Sequence, residues 1–366
     1  MKRIFQITLV LVIASVLVSC NKEYEDIITD TGLRGTFVRN EAGSISYYND
    51  VDETVTADFY KSVNGADLGA PFSALSIFGN KGYALKGALN DQKVETLDAT
   101  TFKKIGEQGN FSHLTDLTTV SDTFVVVAQG VSDSENPGSV TILDSDDLSK
   151  SIATFKVGQN PTRLAYSRGK KVYVANTGGG AYPDSTVMVI DIDLKQVSDT
   201  IVLEQQDGVS SPKKLTRPVD MVIDAYQNVW VLCAGQNNQS AGLARISYGT
   251  HEVKVFKFGS EVGYVGKGKG GLAVSPGGIR VYYVNDGMYA MGINDVQLPE
   301  DKFLAEDYKD LVFNAIGVSP STGKFFCAMD ASTGAKGEVY IFDRYGIELE
   351  KTIEVGEKPR QIVFVR

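Results

Sequence analysis

Seven aromatic residues punctuate this chain at similar intervals. Phe37, Tyr83, Phe124, Tyr173, Trp230, Tyr282 and Phe326 are separated by 46, 41, 49, 57, 52 and 44 residues. Each opens a β-run, in most cases beside a β-branched or Phe neighbour; Tyr83, between Gly82 and Ala84, departs furthest from the pattern. Short alternating runs fill the chain between them, with no long stretch of helical period. A repeat averaging about 48 residues has the length of one four-stranded sheet, and such units bury their faces only by stacking on copies of themselves.

The clearest unit runs from Asn160 to Leu203, with strands expected at Thr162–Tyr166, Lys171–Ala175, Thr186–Asp191 and Val197–Leu203. The next repeats this grammar at Pro218–Ile223, Asn228–Leu232, Gly242–Ile246 and Val253–Phe258. Inner strands are largely apolar because both faces are covered, and outer strands alternate because one edge meets water. The first unit, with Phe37, Ser44–Tyr48 and Thr56–Lys61 as its strands, lacks an inner strand, while Arg360–Val365 is one strand left over at the far end. The chain is therefore expected to be an all-β, seven-bladed β-propeller over residues 36–366, closed by pairing its C-terminal strand into the first blade. A pair of β-sandwiches explains neither the period nor the surplus strand.

Residues 1–19 read as an export signal: Met1-Lys2-Arg3, an apolar run from Ile4 to Val18, then Leu17-Val18-Ser19-Cys20. The run is too short for a membrane span and suits a signal core. The residues before Cys20 resemble the bacterial lipobox, which implies lipidation of Cys20 as the first mature residue. The acidic stretch Asn21 to Asp26 is similar to the surface-export signal of Bacteroidetes lipoproteins. Residues 20–35 are expected to be a tether, and the protein to be lipid-anchored in the outer membrane, facing the cell surface.

Composition narrows the functions. With 36 basic against 45 acidic residues the net charge is −9, unsuited to nucleic-acid binding. Two histidines and three cysteines leave little material for a zinc site, an iron–sulfur cluster or a disulfide framework. Gly266 to Gly271 lacks the ending and helix of a phosphate loop, and Asp133, Glu135, Asp144, Asp146 and Asp147 lack an EF-hand spacing. Cys233 and Cys327, in the second strands of blades 5 and 7, are expected to be buried free thiols. No catalytic set is recognisable, so the chain is expected to bind rather than catalyse, with no cofactor and no metal.

The loops leading into each inner strand, and those joining second to third strands, share one mouth of a propeller, where ligands commonly meet the fold. The candidate ligand-binding residues there are Arg163, Arg217, Arg360, Asn176, Tyr182, Gln236, Tyr264, Tyr289 and His113. Arg163, Arg217 and Arg360 are read as occupying similar places in three blades. Amides, Tyr and Arg suit a polar ligand with π-faces and amide arms.

Several segments resemble the YncE-like, surface-layer-type propeller lipoproteins of Bacteroidetes: Asn40-Glu41 with Ser44–Tyr48, Phe59-Tyr60 with Val63–Gly69, Thr101–Ile105, Asn160-Pro161, Tyr173–Asn176 and Val229–Gly235. That resemblance covers nearly all of the mature chain. The group includes surface lipoproteins that capture corrinoids for a TonB-dependent outer-membrane transporter. It implies binding of a small nutrient, with a corrinoid (vitamin B12) first and ferric siderophore, haem or glycan behind. The alternative is a protein-interaction or surface-structure propeller with no small ligand.

Overall fold

The computed structural model describes residues 32–131, 136–179, 183–206, 212–236, 240–259, 270–331 and 336–365. Residues 1–31 lie outside this set, and with them the signal, Cys20 and most of the expected tether; Gly35, expected in the tether, already begins a strand. The described residues form seven antiparallel sheets arranged as blades, plus a two-stranded ribbon at residues 204–205 and 213–214.

The inner strands, from blade 1 to blade 7, are Pro359–Val365, Phe72–Phe78, Leu114–Thr119, Pro161–Ser167, Pro218–Ile223, Leu272–Val274 and Ala315–Val318. Each inner strand contacts the next around a closed ring. Closure occurs as the surplus strand requires: Pro359–Val365 pairs antiparallel with Gly35–Asn40, from Gly35 opposite Val365 to Asn40 opposite Pro359. The two ends of the chain thus share one sheet, which leaves no unpaired edge at the seam.

The core is a ring of wedges between blades. Phe37, Tyr47, Leu75, Leu97 and Phe102 pack blade 1 on blade 2, and Val38, Tyr48, Phe326 and Ile341 pack blade 7 on blade 1. The recurring aromatics lie in the second strands. Phe37 stacks on Phe102 with centroids 4.4 Å apart, and Trp230, fully buried, stacks on Phe256 at 5.9 Å. The Trp230 indole N–H donates to Asp224 Oδ2 at 2.9 Å, satisfying the polar edge that burial would otherwise leave unpaired. Phe124 is the exception: it sits half-buried at the strand end, and Val125 and Val126 fill the core instead.

Two departures from the four-strand grammar have local causes. The expected strand Thr56–Lys61 stops after Val55–Thr56, and Phe59–Asn64 is a helix. Asp58 caps it, its carboxylate accepting from Lys61 N at 3.2 Å, and Gly65 ends it in the left-handed region at φ 71°. Tyr60 then reaches from the helix to the buried Glu95 of blade 2. In blade 6 only three strands form among the described residues. In the segment that follows, Phe303 N–H donates to the Met288 carbonyl of its third strand at 2.7 Å and the Phe303 ring packs on Tyr282 at 5.1 Å and Phe325 at 4.9 Å, while Tyr308 packs on Phe342 of blade 7.

Candidate functional site

At the mouth the backbone solves the same problem in several blades. Lys358, His113, Asn160 and Arg217 each immediately precede an inner strand, and all are left-handed, with φ of 55°, 54°, 45° and 57°. In each, the carbonyl accepts an N–H at the end of the facing second strand: Glu41 at 2.9 Å, Gly130 at 2.8 Å and Ala234 at 2.9 Å, each one residue past it, and Thr177 at 3.1 Å, the last residue but one within it. The turn ties the start of the inner strand to the end of its neighbour. For the Arg and Lys this conformation is costly by roughly 1 kcal/mol, so their side chains are aimed by the fold and not by local preference.

One residue further on, each of five inner strands carries a bulge. The extra residues are Arg360, Ser73, Thr115, Thr162 and Val219 in blades 1 to 5. After the bulge come Gln361, Ala74, Asp116, Arg163 and Asp220. This register corrects the expectation that Arg163, Arg217 and Arg360 are equivalent. Arg217 precedes the strand, Arg360 is the bulge and Arg163 follows it, so the three stand on successive tiers.

The tier below the bulge is a structural belt. Asp116 accepts from Leu164 N at 2.8 Å, Asp220 from Gly270 N and Leu272 N at 2.9 and 3.0 Å, and Gln361 bonds both Leu75 N and O. Each bond crosses to the inner strand of the next blade, or to the residues leading into it. Arg163 joins the belt, with Nε 2.9 Å from Asp220 and Nη1 3.6 Å from Asp116. Burial opposes its charge, but the two carboxylates more than offset that and hold its pKa above the ordinary value. Arg163 is thus engaged by protein groups.

Above the belt opens a cavity of about 660 Å³. All five bulge residues line it. Phe72, Leu114, Pro71 and Leu89 add apolar surface, and Arg39, Arg217 and Arg360 add charge, with Glu41 and Asp330. Arg360 binds Asp330 in a fork, at 2.7 and 3.0 Å, and its Nε lies 3.4 Å from Glu41. Arg217 has no side-chain hydrogen bond or ion pair among the described residues, and its Nε is buried. Thr115 and Thr177 donate to the carbonyls of Pro161 and Pro218, and with its proton so committed Thr177 accepts from the Thr162 hydroxyl.

Of the sequence-derived candidates, Arg217 and Arg360 line this cavity. Asn176, His113, Gln236 and Tyr289 are not among its lining residues. Asn176 is buried and donates to Thr186, and His113 is a half-buried turn residue next to Leu114. Tyr289 stacks on Tyr283 at 5.2 Å and donates to Asp286, and burial first, then this bond, raises its hydroxyl to about 12. Tyr182 and Tyr264 lie outside the described residues. Arg39 and Phe72 were missed. Arg39 sits in a second strand where blades 2 to 5 carry Leu85, Ala128, Ala175 and Leu232, and aligning the repeats position by position exposes that charge.

Cys233 and Cys327 are buried free thiols, as expected, and burial pushes both thiols far up from their usual range. Among the described residues no three His, Cys, Asp or Glu side chains gather as a metal-binding group.

Solved structures share this architecture. A quinonprotein alcohol dehydrogenase-like protein from Bacteroides thetaiotaomicron matches with a TM-score of 0.66 at 18% identity, over 92% of this chain and 79% of that one. The periplasmic gluconolactonase of Pseudomonas aeruginosa matches at 0.63 and 13% identity, over 91% and 99% of the two chains. A putative 6-phosphogluconolactonase from Bacteroides uniformis matches at 0.63 and 15%, again over 91% and 99%. No family model and no curated protein matches the sequence.

At these identities the likeness shows the fold, a seven-bladed propeller. It also corrects one expectation. The chain was expected to bind and not to catalyse because no catalytic set is recognisable in its sequence; its architecture is shared with proteins named as a dehydrogenase-like protein and as lactonases.

Proposed function

We propose that this protein is a lipid-anchored outer-membrane propeller that takes a small polar molecule at the mouth of its central channel. The observation that carries the reading is the arginine-lined cavity, in which Arg217 stands without a side-chain partner among the described residues. Its volume lies within the usual range for small-molecule sites. Anchoring at Cys20 rests on the lipobox resemblance. It is compatible with the path of the chain, because Gly32 packs against Thr100, in a turn on the face opposite the mouth. A tether arriving there leaves the mouth unobstructed.

The finer reading is nutrient capture at the cell surface with transfer to a TonB-dependent transporter, a corrinoid being the nutrient that the family resemblance favours. The names of the structural neighbours add a turnover to measure, the opening of a sugar lactone. The test is thermal unfolding of the purified protein against cyanocobalamin, cobinamide, haem, ferric siderophores, oligosaccharides and glucono-lactone, with acid release followed for the lactone. A ligand specific for the folded state adds about 2.7 kcal/mol at a hundredfold excess over Kd. A shift that disappears when Val219→Trp fills the mouth supports the site. A shift that survives this change puts the ligand elsewhere.

A further inference from the structure

Arg39 is a buried charge at a position that is apolar in four other blades. It is only 4% exposed. Its Nε has no hydrogen-bond partner, and its guanidinium donates to the Phe72 carbonyl while lying 5.8 Å from the Phe72 ring centre. Among the described residues no carboxylate forms an ion pair with it. Glu41 and Asp330, which share the cavity, are engaged by Arg360. Burial pulls the Arg39 guanidinium down to about 10. A buried cation without a counter-charge is costly, and a leucine or alanine, as in the other blades, would avoid that cost. The charge nevertheless faces a cavity whose other unpaired cation is Arg217.

We propose that the cavity holds its ligand by an acid group, a carboxylate or a phosphate monoester, bound by Arg39 and Arg217. The apolar part of the ligand lies on Phe72, Leu114 and Val219. This rests on the reading of the mouth as the ligand site. A planar guanidinium suits either acid, because both offer two oxygens at matching spacing. The acid supplies the counter-charge that the protein withholds from Arg39.

The experiment is calorimetric titration of the full-length protein in detergent with matched pairs: gluconate and glucose, glucose 6-phosphate and glucose, benzoate and benzamide. At least one acid is expected to bind about tenfold or more tightly than its neutral partner, as charge-assisted bonds require. The pair that responds separates carboxylate from phosphate. Arg39→Met is expected to abolish the preference and to raise the melting temperature of the free protein. Arg217→Gln, at a less buried position, is expected to weaken the same preference.

Equal binding of acid and neutral partners, lost in Val219→Trp, overturns the acid assignment and leaves the mouth reading standing. A panel in which nothing binds overturns both. If Arg39→Met lowers the melting temperature and keeps the acid preference, Arg39 is a packing residue and the assignment falls.

Discussion

Arg163 Nε lies 2.9 Å from Asp220 Oδ1, joining the inner strands of blades 4 and 5 inside the channel. The same guanidinium reaches Asp116 of blade 3 at 3.6 Å, and both carboxylates are almost fully buried. Replacing Arg163 by Met strands two buried negative charges, which is expected to cost about 3–5 kcal/mol in urea unfolding. The double variant Arg163→Met/Asp220→Asn should lose less than the sum of the single changes. Additive losses would show that the pair is not coupled.

Closure through the C-terminal strand predicts that deleting residues 360–366 abolishes cooperative unfolding, because blade 1 loses its inner strand and blades 7 and 2 lose a neighbour. Far-ultraviolet circular dichroism during heating reads this directly. A deletion variant with an unchanged melting temperature refutes the closure.

The seam is also sterically tight. A Cβ on Gly337 would meet Pro359 Cδ at 2.4 Å, where the third strand of blade 7 crosses the inner strand of blade 1. Gly337→Ala is expected to destabilise by about 1–3 kcal/mol through overpacking. Gly277→Ala is the matched control, since nothing lies within 4 Å of its Cβ position. Equal melting temperatures for the two variants would remove close packing at the seam as a source of stability.

Acid should weaken the contact between the outer strands of blade 2. Lys104, 2.8 Å away, and Lys93, at 3.0 Å, hold the Glu107 carboxyl well below its ordinary 4.5, at about 2. A depressed carboxyl contributes its full stabilisation above pH 4.5 and loses it as pH falls toward 2. Solvent screening limits this to about 1 kcal/mol. Glu107→Gln should therefore flatten the fall of the urea midpoint in that window and leave other pH ranges unaltered. An unchanged acid limb would show that the cluster contributes nothing measurable.

The thiols of Cys233 and Cys327 should be silent to an aromatic disulfide reagent in the native protein and react together on unfolding. Burial raises both far above the range in which thiolate forms. Rapid native labelling of either would contradict the packing of the second strands in blades 5 and 7.

The mouth shows why a correct fold reading still misplaced its residues. Arg163, Arg217 and Arg360 look alike in sequence because each lies within a few residues of an inner-strand start. A left-handed turn and a bulge separate them into three tiers, and every one-residue step there redirects a side chain. Arg217 turned into the cavity and Arg163 into an ion-paired belt. The helix Phe59–Asn64 escaped for a related reason: Thr56–Lys61 alternates like a strand, and only the Asp58 and Gly65 caps, with Tyr60 reaching Glu95, reveal the competing state.

Periodicity in the sequence was enough to determine seven blades and their closure, because strand alternation and a surplus strand are properties of the chain read in order. The tertiary structure alone decided which charges are satisfied. Arg163 meets two carboxylates from neighbouring blades, whereas Arg39 meets a carbonyl and a ring. Their partners lie 33 to 57 residues away along the chain and are brought together by the ring itself. The worth of a buried charge depends on those distant partners, so it is written in the packing of the blades and not in the local run of residues.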